Sequence, residues 1–175
     1  MPDIDLFASR LNKQIDNYVS WFPDPDACYV DAFSFSWHNL TPYIFPPFSQ
    51  IPAVLQKVED DMVRRAILIV PFWPTQMWFP ILLESLIDIP IKLPMCSNLL
   101  RLVHNNQNHP MNKRKLFLIA CVISGNASVI KVFQNQLQKS SPILGDSQLT
   151  RNMNNLGDYG YFGVVRNKLI HLNQL

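Results

Sequence analysis

Two prolines followed by an aromatic ring, in the run Tyr43-Ile44-Phe45-Pro46-Pro47-Phe48-Ser49, make the segment of this chain best suited to chemistry. Neither proline has an N–H to give a strand ladder, so a strand entering this run must leave its sheet at once. The next ring is then held beside the strand ends, and in open α/β sheets that edge is where ligands bind. Two carboxylates are candidates to meet a ligand there. Asp5, read as closing the first strand, either accepts hydrogen bonds from a ribose or ammonium group or simply caps the strand end. Asp31 offers the other end of a ligand an acceptor, with the same structural alternative.

Other residue types narrow the chemistry. Trp21, Phe22, Phe35, Trp37, Phe48, Trp73, Trp78 and Phe79 are dense for this length and suit either core packing or stacking on a flipped-out base. Tyr29-Val30-Asp31-Ala32 has one carboxylate where two-metal catalysis needs a pair. His38, His104, His109 and His171 lack metal-ligand spacing, and no metal is expected. There is no Gly-rich phosphate loop and no Gly-x-Ser-x-Gly elbow.

The chain has 175 residues, 48% apolar and 16% charged, which suits a folded domain with a sizeable core. No apolar run reaches the eighteen or so residues of a membrane span, so no membrane partner is expected. The N-terminus shows no signal-peptide pattern. Cys28, Cys96 and Cys121 are odd in number and far apart, which points to a reducing, intracellular setting, cytoplasm or nucleus. Charge is uneven. Residues 1–62 hold 3 Lys/Arg against 9 Asp/Glu, and residues 63–175 hold 12 against 4. The basic half either meets nucleic acid or complements the acidic half.

These residues need a sheet to position them. Ile4, Leu6 and Ala8 share one face of a first strand, and residues 43–45 read as another. From Gln50, the apolar positions Ile51, Val54, Leu55, Val58 and Met62 recur at helical spacing, with Pro52 in the first turn. Arg64-Arg65 then suit a helix C-terminus. Ala66-Ile67-Leu68-Ile69-Val70 reads as a buried parallel strand. Residues 78–88 return as a helix and 89–94 as a strand. The expected α/β domain, a small mostly parallel sheet flanked by helices, covers residues 1–100. A linker over 101–112 leads to a helical pair over 113–139, with Gly125 as the C-cap of its first helix and Asn126 as the N-cap of its second. In that second helix Ile130, Phe133 and Leu137 form the buried stripe. Residues 140–175 read as a largely disordered tail.

Two resemblances build on these residues. Pro2-Asp3-Ile4-Asp5-Leu6-Phe7-Ala8-Ser9-Arg10-Leu11-Asn12, Val19-Ser20-Trp21, Pro23-Asp24-Pro25, Asp31-Ala32-Phe33-Ser34, Phe45-Pro46-Pro47-Phe48-Ser49 and Val70-Pro71-Phe72-Trp73-Pro74 resemble the segment between RNase H and tyrosine recombinase in DIRS-like retroelement polyproteins. The same segment is similar to phage-type Dam adenine methyltransferases, whose Asn-Pro-Pro-Tyr motif matches Phe45-Pro46-Pro47-Phe48. That likeness implies a degenerate Rossmann-like fold. It also implies S-adenosylmethionine as cofactor, held by Asp5, Ala8 and Asp31, and catalytic positions at Phe45, Pro46, Pro47 and Phe48.

Phe45 departs from the motif. In the family an Asp/Asn oxygen and a prolyl carbonyl accept the hydrogens of the adenine amino group, and Phe45 has no acceptor. Loss of one positioned polar contact costs on the order of 10²-fold in rate, so weak or no transferase activity is expected. The resemblance implies a non-catalytic, methyltransferase-like connecting module of a retrotransposon polyprotein. Its partners would be DNA or an RNA–DNA hybrid and the neighbouring RNase H and recombinase domains. The alternatives are an active DNA adenine methyltransferase, with Phe48 stacking the base, and a purely structural spacer.

Overall fold

The computed structural model describes residues 1–94, 117–137 and 161–174. The chain opens with strands β1 (Ile4–Ala8), β2 (Tyr18–Ser20) and β3 (Tyr29–Val30), then a 3-10 turn at Ala32–Ser34 and β4 (Pro42–Ile44). Helix α1 (Ile51–Asp60) leads into β5 (Ala66–Pro71), and α2 (Phe79–Ser85) into β6 (Ile91–Lys92). Strand β7 (Leu118–Ile123), helix α3 (Ala127–Gln136), the hairpin β8 (Tyr161–Val165) and β9 (Lys168–His171), and β10 (Asn173–Gln174) complete the order.

Eight strands form one sheet in the order β10-β6-β7-β5-β4-β1-β2-β3. Pairing is parallel except along β7, which runs antiparallel to β5 and β6. The expected α/β architecture with a mostly parallel sheet is therefore present. Alternate residues Ile44, Leu68, Val70, Ile119 and Cys121 turn to one face. There they meet Val54, Leu55 and Val58 of α1, Leu82 and Leu83 of α2 and Phe133 of α3 in a single core. On the other face the register places Tyr18, Asp5, Tyr43, Ile67 and Val122 in a row.

Helix α1 follows the expected stripe for four of its five positions: Ile51, Val54, Leu55 and Val58 are buried. Met62 is not on it. The helix ends at Asp60, and Met62 takes a left-handed φ of 48° while its N–H donates to the Glu59 carbonyl. Val63 N–H then reaches back to the Val58 carbonyl at 3.0 Å, so Val63 fills the core position expected of Met62. Arg64-Arg65 lie past this closure, and the cation in the last turn is Lys57.

Two larger expectations fail. The helix expected from residue 113 is strand β7 over Leu118–Ile123, paired with β5 from Ala66↔Ile123 to Pro71↔Leu118. Apolar β-branched residues flanked by strands on both sides bury more surface there than a separate helix would. Gly125 is accordingly not a helix C-cap. It is the tight link from β7 to α3, where a Cβ would stand 2.0 Å from the Val58 carbonyl oxygen. The second helix and its Asn126 N-cap are as expected, with Asn126 Oδ1 accepting from Ser128 N and Val129 N. Of its stripe Phe133 is buried, Ile130 is half-buried and Leu137 lies just past the helix end.

The tail expected to be disordered is structured over residues 161–174. Val165, Leu169 and Ile170 are buried, and β8 packs on α2 with Gly163 against Leu83. The linker over 101–112, residues 113–116 and residues 140–160 lie outside the described residues.

Candidate functional site

Strand β1 sits between β2 and β4, and the chain leaves it toward β2 but returns on its other side as β4. Loops from the carboxyl ends of such strands diverge, leaving the crevice where doubly wound proteins bind ligands. A cavity of about 320 Å³ opens there. The end of β1 gives Leu6, Phe7, Ala8 and Ser9, and the following turn gives Asn12. Ser20 and Trp21 come from the end of β2, Ala32 from the 3-10 turn, and Pro47 and Gln50 from the segment after β4.

Local bonds hold these walls. Ser9 donates to Asn12 Oδ1 from its backbone N–H and its hydroxyl, at 2.6 and 2.8 Å, which pins the turn against the strand end. Ser20 Oγ donates to the Phe22 carbonyl at 2.5 Å. Behind Ala32 stands Trp37, fully buried, whose indole N–H donates to the Ala32 carbonyl at 2.7 Å. The Trp37 backbone N–H donates to Asp61 Oδ2 at 2.7 Å, and Lys57 Nζ reaches the same oxygen at 2.9 Å. Burial pushes the Asp61 carboxyl up, but Lys57 and the Trp37 N–H outweigh it and hold the group below its usual value. This clasp ties the cavity wall to α1.

The expected site residues divide. Ala8 and Pro47 line the cavity. Phe45 is half-buried just past the end of β4 and Pro46 is buried, so the strand does end where the prolines require. Phe48 is turned partly into the core, its ring 5.2 Å from Trp73 in an edge arrangement. The Pro47 carbonyl is engaged by the Gln50 N–H at 2.8 Å.

Asp5 does not line the cavity. It is the second residue of β1, not its end, and is 2% exposed on the face away from the helices. Its oxygens accept from Gln14 N at 3.0 Å and Phe7 N at 3.4 Å, anchoring the turn that carries Asn12. Burial raises its carboxyl above the usual value against the pull of those two N–H groups. Asp31 also spends its carboxylate locally. It accepts from Phe33 N at 3.0 Å to cap the 3-10 turn, at a left-handed φ of 61° beside the cavity wall. Strained backbone of this kind concentrates at ligand sites.

Ser9, Asn12, Ser20, Ala32 and Gln50 enter the site unforeseen, whereas Trp21 belongs to the set of rings suited to packing or base stacking. The signal was the small-residue run at Ala8-Ser9 and the early Trp21, but β2 is too short to leave a period in the sequence. Among the described residues no ionisable side chain lines the cavity. It has hydroxyls and carboxamides for hydrogen bonds, an indole 60% exposed at Trp21 and otherwise apolar walls. Such a lining can hold a planar, largely apolar ligand and orient it, but offers no general acid or base. Comparison with protein-family models, curated proteins and solved structures finds no match.

Proposed function

We propose that the chain is a methyltransferase-like module of a DIRS-like retroelement polyprotein that keeps a nucleoside-type cofactor cavity and lacks the transfer step. The observation that carries this reading is the cavity at the carboxyl ends of β1 and β2, beside the Pro46-Pro47 turn. Its setting agrees. Sheet order 3-2-1-4-5 matches the doubly wound dinucleotide-binding arrangement. Strand β7 stands antiparallel between β5 and β6.

The ligand would be S-adenosylmethionine. Trp21 and the apolar end of β1 would take its adenine, and Ser9, Asn12, Ser20 or Gln50 its polar groups. Asp5 and Asp31 act at one remove, by fixing the turn and the wall. Transfer to an adenine amino group would need an acceptor where Phe45 stands, and Phe45 offers none. In the parent polyprotein the module would connect RNase H to the recombinase.

The test is a calorimetric titration with S-adenosylmethionine on the wild-type chain, followed by mass-spectrometric detection of methyladenine in DNA. Micromolar binding without methylation supports the reading. A folded chain that gives no heat at millimolar ligand contradicts it, and methylation by the wild type shows that the transfer step survives.

A further inference from the structure

The polar side chains of the cavity wall have most of their hydrogens and lone pairs assigned by their own neighbours. Asn12 Oδ1 accepts from the Ser9 N–H at 2.6 Å and from the Ser9 hydroxyl at 2.8 Å. A carboxamide oxygen has two lone pairs, so both are taken. Turning the group over would set its NH2 against the Ser9 N–H, donor on donor, which fixes the orientation. Asn12 Nδ2 keeps two hydrogens, and neither has a partner among the described residues. The two serines are fixed in the opposite sense. Ser9 Oγ spends its only hydrogen on Asn12, and Ser20 Oγ spends its own on the Phe22 carbonyl, so each is left to accept. Gln50 differs. It stands in the lining as the N-cap of the ten-residue helix α1, yet its side chain makes no capping bond and is free to turn either way.

From this pattern we infer that Asn12 is a specificity-determining residue: it meets a ligand only as a hydrogen-bond donor, and so selects an aminopurine nucleoside through the lone pair of a ring nitrogen. The inference rests on the reading that this cavity is a nucleoside site, and it adds which residue reads the base and through which kind of atom. The rest of the lining agrees. An aminopurine nucleoside brings hydrogens on its amino group and sugar hydroxyls, which suit the acceptors Ser9 and Ser20. Its ring nitrogens bring lone pairs, which suit Asn12. The Asn12 carboxamide cannot turn to suit a ligand that presents an N–H there, because turning breaks both bonds from Ser9. A ring C–H in that place would cover the Asn12 NH2 without giving it a partner.

Competition binding on the intact chain tests this with adenosine and its 1-deaza, 3-deaza and 7-deaza analogues, each of which exchanges one ring nitrogen for C–H. One of the three analogues is expected to bind the wild type about tenfold more weakly than adenosine. In Asn12→Asp that gap should close or reverse. The aspartate keeps an oxygen for both Ser9 donors but has no hydrogen to give. Its circular dichroism and melting temperature should therefore stay near wild type while adenosine binding weakens about tenfold. Gln50→Glu makes the same exchange on the carboxamide that is free to turn, and should change adenosine affinity less than about threefold. Three analogues that all bind the wild type like adenosine would overturn the inference, as would a gap that persists in Asn12→Asp. An equal loss in Gln50→Glu and Asn12→Asp would overturn it too, because the added charge and not the missing donor would then be responsible. Failure of both adenosine and S-adenosylmethionine to bind the folded wild type would instead refute the nucleoside site on which the inference stands.

Discussion

Trp37→Phe isolates the bond that holds the cavity wall. The native ring is fully buried, packs 5.9 Å from Phe33 and lies under the Lys57 ammonium at 5.7 Å. Phenylalanine keeps much of that packing but cannot donate to the Ala32 carbonyl, which the indole reaches at 2.7 Å. An acceptor left without its partner in a buried place costs about 1–3 kcal/mol. The volume lost on shrinking the ring adds about 1 kcal/mol, so a total near 3 kcal/mol is expected. Trp37→Ala, which removes the packing as well, should cost about 3–5 kcal/mol. Urea unfolding followed by circular dichroism gives both values without relying on tryptophan emission. Ligand affinity should fall with Trp37→Phe even where the variant is fully folded, because Ala32 is part of the lining. A Trp37→Phe variant within about 0.5 kcal/mol of wild type would refute the clasp, since only a bond that contributes nothing could be removed so cheaply.

Four further outcomes are expected. Met62→Gly should raise stability by about 1 kcal/mol in thermal melts, because Met62 holds a φ of 48° that glycine adopts without strain, and Met62→Ala should bring no such gain. Gly125→Ala should destabilise by at least about 2 kcal/mol in urea titrations, since the new Cβ would meet the Val58 carbonyl oxygen of α1 at 2.0 Å and that backbone is fixed by the helix closure. The Asp61 carboxyl is held below its unfolded value, so its contribution is present above that value and is lost as pH falls through the lower folded one; unfolding measured from pH 5 downward should show a loss that Asp61→Asn lacks. Phe45→Asn restores an acceptor at the position where the resemblance requires one, and should create methyladenine formation, read by mass spectrometry, in a chain otherwise silent.

Much of the sheet was legible because its signals are local. Ile4, Leu6 and Ala8 alternate, Ala66 to Val70 is a short β-branched run, and α1 repeats at helical spacing from Ile51. The prolines after Ile44 marked the strand end correctly. What escaped depends on distant partners. The apolar run of β7 reads equally as helix or strand by period alone, and only its pairing with β5, some fifty residues earlier, decides the matter. The β8–β9 hairpin turns through Arg166 and Asn167, both at positive φ, in place of the Asn-Gly that would have announced it.

The site was partly legible for the same reason. The Pro46-Pro47 turn lies at the edge of the sheet where the cavity opens, and Ala8 and Pro47 line that cavity. The carboxylates misled, because a buried Asp5 on the opposite face and a capping Asp31 look the same in sequence as ligand acceptors. Cys121 carries a similar lesson: burial in the sheet pushes its thiol far up, and the residue serves as core.

The central claim is that the cavity beside Trp21 receives the cofactor, and the indole N–H signals of the four tryptophans report on it directly. Trp21 lines the cavity and is 60% exposed, whereas Trp37 is wholly buried behind the wall. On titration with S-adenosylmethionine the account predicts a saturable shift of the Trp21 indole signal, little movement of Trp73 and Trp78, and loss of binding in Trp21→Ala. Saturable binding that leaves the Trp21 signal in place, or survives Trp21→Ala undiminished, would contradict it.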